Sequence, residues 1–147
     1  MENDILIRKG NMNDVSSIHY IEKKVFNNEA WSLNMVKDEL STTNYRTTWV
    51  ACIKKILCGY CMLRSCESDY HLINIAVEPF YQRIGLGEKL IKHILGRIPA
   101  KSSIFLEVKK GNFSAISLYR KMGFKEIYAR NNYYKDGRSA LIMNLNY

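Results

Sequence analysis

Residues 77–91 read VEPFYQRIGLGEKLI, and this stretch decides how the rest of the chain is organised. It leaves an apolar strand through Glu78-Pro79, passes an arginine and two glycines, and runs into an amphipathic helix. Backbone N–H groups in the first turn of a helix have no intrahelical partner and carry partial positive charge. Glycine lets a phosphate approach those amides without meeting a Cβ. Gln82 and Arg83 add side-chain donors beside Gly85 and Gly87. The stretch therefore has the chemistry of a pyrophosphate cradle. A dinucleotide fingerprint finds two of its glycines here, but Leu90 stands in place of the third, and a proline-containing loop parts strand from glycines. A Walker loop needs a Gly-Lys-Ser/Thr ending, which is missing. Read alone, the stretch could still be a plain helix start with a glycine pair.

Working outward, hydrophobic periodicity gives the neighbouring elements. Residues 5–9 read as a first strand. Asn13 or Asp14 caps a helix to about Phe26, with Val15, Ile18, Ile21 and Val25 as its apolar stripe. Ser32 caps a shorter helix carrying Leu33, Val36 and Leu40. Residues 47–53 and 56–63 form a hairpin about Lys54-Lys55, although lysines are not favoured turn residues. A strand over 70–77 leads into the glycine loop, and its helix runs to about Arg97. Residues 103–109 form another strand, and residues 113–122 a helix stopped by Gly123. Two last strands close the chain through an Asp136-Gly137 turn. The order is β-α-α-β-β-β-α-β-α-β-β, which predicts an α/β mixed sheet with helices on both faces.

The 147 residues are expected to form one domain, 1–147, with a sizeable core. No run approaches a membrane span, and the N-terminal stretch shows no secretory signal, so the chain reads as cytoplasmic. Lysine and arginine number 22 against 14 acids, for a net charge of +8. The basic residues are scattered, which fits a solvated surface. The sharper reading is a polyanionic partner, either a phosphorylated cofactor or an RNA-rich particle. Direct nucleic-acid binding lacks a clustered basic helix and is not expected. The four cysteines do not read as a metal site. Cys58 and Cys61 are three apart on a strand and are expected on opposite faces, where they cannot converge on zinc. Free buried thiols are expected instead.

The glycine loop does not stand alone. It is similar to the Arg/Gln-x-x-Gly-x-Gly/Ala motif of the GNAT (GCN5-related) N-acetyltransferases, whose element order matches over essentially the whole chain. INIAVEPFYQRIGLG (73–87), FLEVKKGNFSAISLYRKMGF (105–124) and RNNYYKDGRSALIM (130–143) resemble the ribosomal-protein-alanine N-acetyltransferases, the RimI type. So does Ala30-Trp31-Ser32 on the substrate side. The resemblance implies acetyl-CoA as co-substrate, with its pyrophosphate on Gln82, Arg83, Ile84, Gly85, Leu86, Gly87 and Glu88. It also implies a splayed central strand pair, with pantetheine in the gap beside Ile75, Ala76 and Val77, and no metal.

Acetyl transfer needs a neutral amine, a polarised carbonyl and a proton for the leaving thiolate. Glu107 is the candidate base. It sits near the C-terminal end of a strand, where open α/β sheets place ligands, and among Phe105, Leu106 and Val108 its pKa is expected to rise by desolvation. An acid on a solvated strand face is the plainer alternative, and His71 on the neighbouring strand is a second titratable group. Asn112, Ile116 and Tyr119 have the spacing of one helical stripe. By resemblance, Glu107 is the proton acceptor through water, Asn112 contacts the cofactor and Tyr119 is the proton donor. The resemblance also points to backbone N–H groups at 75–77 for polarising the carbonyl. Trp31, Tyr133 and Tyr134 are expected to flank the acceptor.

Two residues depart from the family pattern. Glu88 puts an acid beside the pyrophosphate loop, and Ser139 stands where relatives often carry an acid near the amine. The function implied is acetylation of a protein N-terminus, the N-terminal alanine of a ribosomal protein, by a monomer or weak dimer. Acetylation of a small amine or of other N-termini is the alternative, and a non-catalytic acyl-CoA-binding module is a third. Retention of both Glu107 and Tyr119 argues against that third reading.

Overall fold

The structure, a computed structural model, describes residues 4–147. Its elements follow the expected order: β1 (Ile5–Lys9), α1 (Val15–Phe26), α2 (Leu33–Leu40), β2 (Arg46–Ile53), β3 (Ile56–Cys66), β4 (Asp69–Val77), α3 (Leu86–Leu95), β5 (Ser103–Lys109), α4 (Phe113–Lys121), β6 (Lys125–Arg130) and β7 (Ala140–Asn146). The strands form one sheet in the order β1-β2-β3-β4-β5-β7-β6. Only β4 and β5 are parallel neighbours, and the other pairs are antiparallel. The sheet is mixed, as expected. One apolar layer packs α3 and α4 on the sheet through Leu86, Leu90, Ile91, Ile94, Ile116 and Tyr119. The other packs α1 and α2 through Val15, Ile18, Ile21, Val36 and Leu40. Among the described residues no helix is long and apolar enough to cross a membrane.

Local details differ where side chains override a simple pattern. Asn11, not Asn13 or Asp14, opens the first helical segment. Its side chain accepts from the Asn13 amide, and Asp14 accepts back from the Asn11 amide, in a capping box ahead of α1. Ser32 does cap α2, accepting from the Met35 amide at 3.2 Å. The β2–β3 hairpin turns on Lys54 and Lys55, both left-handed (φ 49° and 70°), the backbone that a two-residue turn of this twist demands. The β6–β7 connection is a longer loop, residues 131–139, with the Gly137 turn inside it.

Two β-bulges matter for the site. In β3, Cys58 is the extra residue between the Ala51↔Gly59 and Cys52↔Leu57 pairs. The bulge reverses the strand's alternation, so Cys58 and Cys61 join the same core layer rather than opposite faces. Both are free thiols, and among the described residues no three metal-binding side chains cluster. In β4, Ile73 is the extra residue between the Met62↔Asn74 and Leu63↔Leu72 pairs, and it falls where β4 leaves β5.

Candidate active site

The β4–β5 pair runs from Asp69↔Ser103 to Leu72↔Leu106 and then stops, although β4 continues to Val77 and β5 to Lys109. Beyond the Ile73 bulge the two strands diverge, so the β5-facing backbone groups of residues 73–77 have no strand partner. A cleft of about 740 Å³ opens in the gap. It is lined by every residue to which the resemblance gives a catalytic, cofactor or acceptor role, except Ile84 and Tyr133. Ile84 lies outside it, 39% exposed. His71 also lies outside, with its ring 5.6 Å from that of Phe105.

One end of the cleft is the glycine loop. Gln82 donates through Nε2 to the Val77 carbonyl at 2.9 Å, tying the loop to β4, so one of its amide hydrogens is already used. Arg83 is exposed and left-handed (φ 67°), and Gly85 has φ 87°. Leu86 is buried, leaving its amide, with those of Gly87 and Glu88, at the open start of α3. A Cβ on Gly87 would stand 2.9 Å from Leu118 Cδ2, which marks the close approach of α3 to α4. Glu88 does not confront the loop with a free charge. Lys121 at 2.9 Å and Lys92 at 3.0 Å hold its carboxylate, and both lower its pKa, Lys121 first. These features fit an anionic diphosphate.

The middle of the cleft holds the candidate reacting groups. Asn112 is the N-cap of α4 rather than a member of its stripe. Its Oδ1 accepts from the Ala115 amide at 3.2 Å, which leaves the NH₂ for a ligand. Tyr119 is 5% exposed and meets Phe124 edge-to-face at 5.9 Å. Among the described residues its hydroxyl has no hydrogen-bond partner. Burial, with Cys61 and Tyr134 nearby, pushes the Tyr119 phenol well above its ordinary range. It therefore stays protonated.

Glu107 is not desolvated as the sequence suggested. It points away from the buried Leu106 and Val108, and its side chain is 37% exposed. Arg130 Nη1 lies 3.5 Å away. Glu107 also lies beside Tyr133 and holds that phenol above its usual range. Tyr133, off the cleft lining, thus still touches the candidate base. Tyr134 lines the cleft, and burial pushes its phenol up to about 12.

Trp31 and Tyr134 line the cleft together with residues the sequence reading missed: Glu22, Glu29, Asn74 and Arg138. Glu22 is 1% exposed, on the core face of α1. A charged residue one position past Ile21 of an apolar stripe was the available signal. Arg138 packs its guanidinium onto Gly111, where a Cβ would fall 1.9 Å from Nη1. The glycine before Asn112 was its only trace in the sequence.

Comparison with known proteins agrees with this geometry. The Acetyltransferase (GNAT) family profile matches residues 13–124. Over 79 residues the chain is 46% identical to the ribosomal protein bS18-alanine N-acetyltransferase of Escherichia coli (strain K12), a match spanning 50% of this chain and 53% of that protein. The chain thus spans about half the length of that relative. Over 146 residues it is 31% identical to a Bacillus subtilis (strain 168) protein provisionally assigned the same activity, covering 97% of this chain and 96% of the relative. A crystal structure of the ribosomal-protein-S18-alanine N-acetyltransferase from Escherichia coli superposes with a TM-score of 0.89 at 28% identity, over 97% of this chain and 93% of that one. With the splayed strands, the glycine loop and these relatives in agreement, the chain belongs to the GNAT acetyltransferase family.

Proposed function

We propose that the protein is an acetyl-CoA-dependent Nα-acetyltransferase acting on a protein N-terminus, the N-terminal alanine of a ribosomal protein. The observation that carries this reading is the cleft at the end of the Leu72↔Leu106 pair, which joins a diphosphate-binding loop, a protonated phenol and a carboxylate in one space. The names of the matched relatives support the acceptor.

In this reading the diphosphate of acetyl-CoA rests on the loop 82–88, with Arg83 as the side-chain cation. Pantetheine lies against Ile75, Ala76 and Val77 and meets the Asn112 amide. A neutral α-amine attacks the thioester carbonyl, whose developing oxyanion is held by unpaired β4 amides. The new C–N bond forms as the C–S bond breaks. Tyr119 gives its proton to the departing thiolate, and the amine's proton passes through water to Glu107. Exposure suits Glu107 to that route, because a water-borne proton needs a solvated acceptor. Trp31 and Tyr134 flank the acceptor, and Tyr133 steadies Glu107.

The direct experiment is mass spectrometry of protein N-termini from cells with and without this gene product. Loss of acetylation on one alanine-starting ribosomal protein is expected, and an unchanged N-terminal proteome would contradict the assignment.

A further inference from the structure

We infer that Glu22 is a positioning residue that locks the acceptor wall of the cleft to the strand that polarises the thioester; this rests on the acetyl-transfer reading above. A carboxylate taken out of water is costly unless fully paired. Glu22 is nearly inaccessible, yet among the described residues no cation pairs with it. Three neutral donors hold it instead. Oε1 accepts from the Trp31 backbone N–H at 3.0 Å. Oε2 accepts from Asn74 Nδ2 at 2.7 Å and from the Tyr60 hydroxyl. The Tyr60 phenol is raised well above its usual range, by burial first and then by Glu22, so it remains a donor.

These donors come from three places: β3, β4 and the α1–α2 connection. Glu22, Trp31 and Asn74 all line the cleft, and Asn74 directly precedes Ile75-Ala76-Val77. One buried carboxylate therefore fixes the distance between the acceptor wall and the carbonyl-binding strand. Productive attack needs reacting atoms within about 3–3.5 Å, and a misplacement of about 1 Å can cost about a hundredfold. The glycine loop makes none of these contacts. Loosening Glu22 should thus disturb the acceptor and leave the acetyl-CoA anchor in place.

Glu22→Gln tests this, because it keeps the volume but puts an NH₂ where a carboxylate oxygen accepts, leaving a donor unpaired. Tyr60→Phe removes one donor, and Asn74→Ala removes another. For each variant, calorimetry gives the acetyl-CoA Kd, and steady-state assays give kcat and KM for an alanine-starting peptide. The expected result for Glu22→Gln is a kcat/KM for peptide lowered by about tenfold to a hundredfold, with the acetyl-CoA Kd unchanged. Asn74→Ala should show the same split and Tyr60→Phe a smaller one. If Glu22→Gln does not fold, the other two decide. Wild-type peptide kinetics in the folded variants, or a loss shared equally by acetyl-CoA affinity, overturns the inference and leaves the enzyme assignment standing. A wild-type protein that acetylates no α-amine overturns both.

Discussion

Leu72 and Leu106 form the last rung between β4 and β5, and the cleft of the candidate active site opens just past it. One extra residue in β4, Ile73, sits at that rung and turns the following strand aside. Five residues of β4 and three of β5 continue without pairing to each other and wall the gap. The cleft is thus a consequence of a bulge, and the helices α3 and α4 supply its donors from one face of the sheet.

Arg83 is exposed and its backbone is already left-handed, so exchanging its side chain leaves the fold intact. Arg83→Glu removes a charge-assisted contact, worth about 1.5–3 kcal/mol, and adds repulsion. The acetyl-CoA Kd should rise by at least about tenfold. Calorimetry checks this, and an unchanged Kd would remove Arg83 from the cradle.

Tyr119→Phe keeps the ring against Phe124 and deletes a hydroxyl that has no partner among the described residues. The thermal midpoint should stay close to wild type. Turnover should fall about a hundredfold or more, the usual scale of a lost general acid. Single-turnover measurement separates chemistry from product release. Wild-type chemistry in the variant would make Tyr119 a packing residue alone.

Stability should fall on the alkaline side. Burial raises the Cys61 thiol from 9.0 to about 12. Below pH 9 both folded and unfolded thiols are protonated, and the contribution is complete. As pH rises from 9 towards 12 the unfolded thiol ionises first, so folding is progressively opposed. Buried Tyr60 and Tyr119 act in the same direction at higher pH. Cys61→Ala creates a cavity and starts less stable, but its melting curve should converge on that of wild type between pH 9 and 11. Parallel curves would show that the thiol is not the group responsible.

The order of elements and the mixed sheet were legible because long apolar periods and the glycine loop are local signals, whereas the splay was expected only from the family resemblance. What escaped the sequence depends on contacts across the chain. Bulges are invisible to periodicity, so Cys58 was placed on the wrong face. Asn11 is the exception: its capping box with Asp14 is a local signal that the sequence reading passed over. The burial expected for Glu107 followed from its apolar neighbours, but Leu106 and Val108 point to the opposite side of β5. Glu22 needed Trp31, Asn74 and Tyr60 to become interpretable, and none is its neighbour in sequence.

The most direct measurement is a pH–rate profile for wild type and Glu107→Gln on two acceptors, an alanine-starting peptide and an N-terminally blocked lysine peptide. At pH 7 about a tenth of an α-amine is neutral, against roughly 0.04% of a lysine side chain. Wild type should prefer the alanine peptide. Glu107→Gln should keep part of that activity, recover much of it above pH 8, and show almost none on lysine. Identical wild-type and variant profiles on the alanine peptide would remove Glu107 as the base, whereas a wild-type preference for the blocked lysine peptide would contradict the Nα-acetyltransferase account itself.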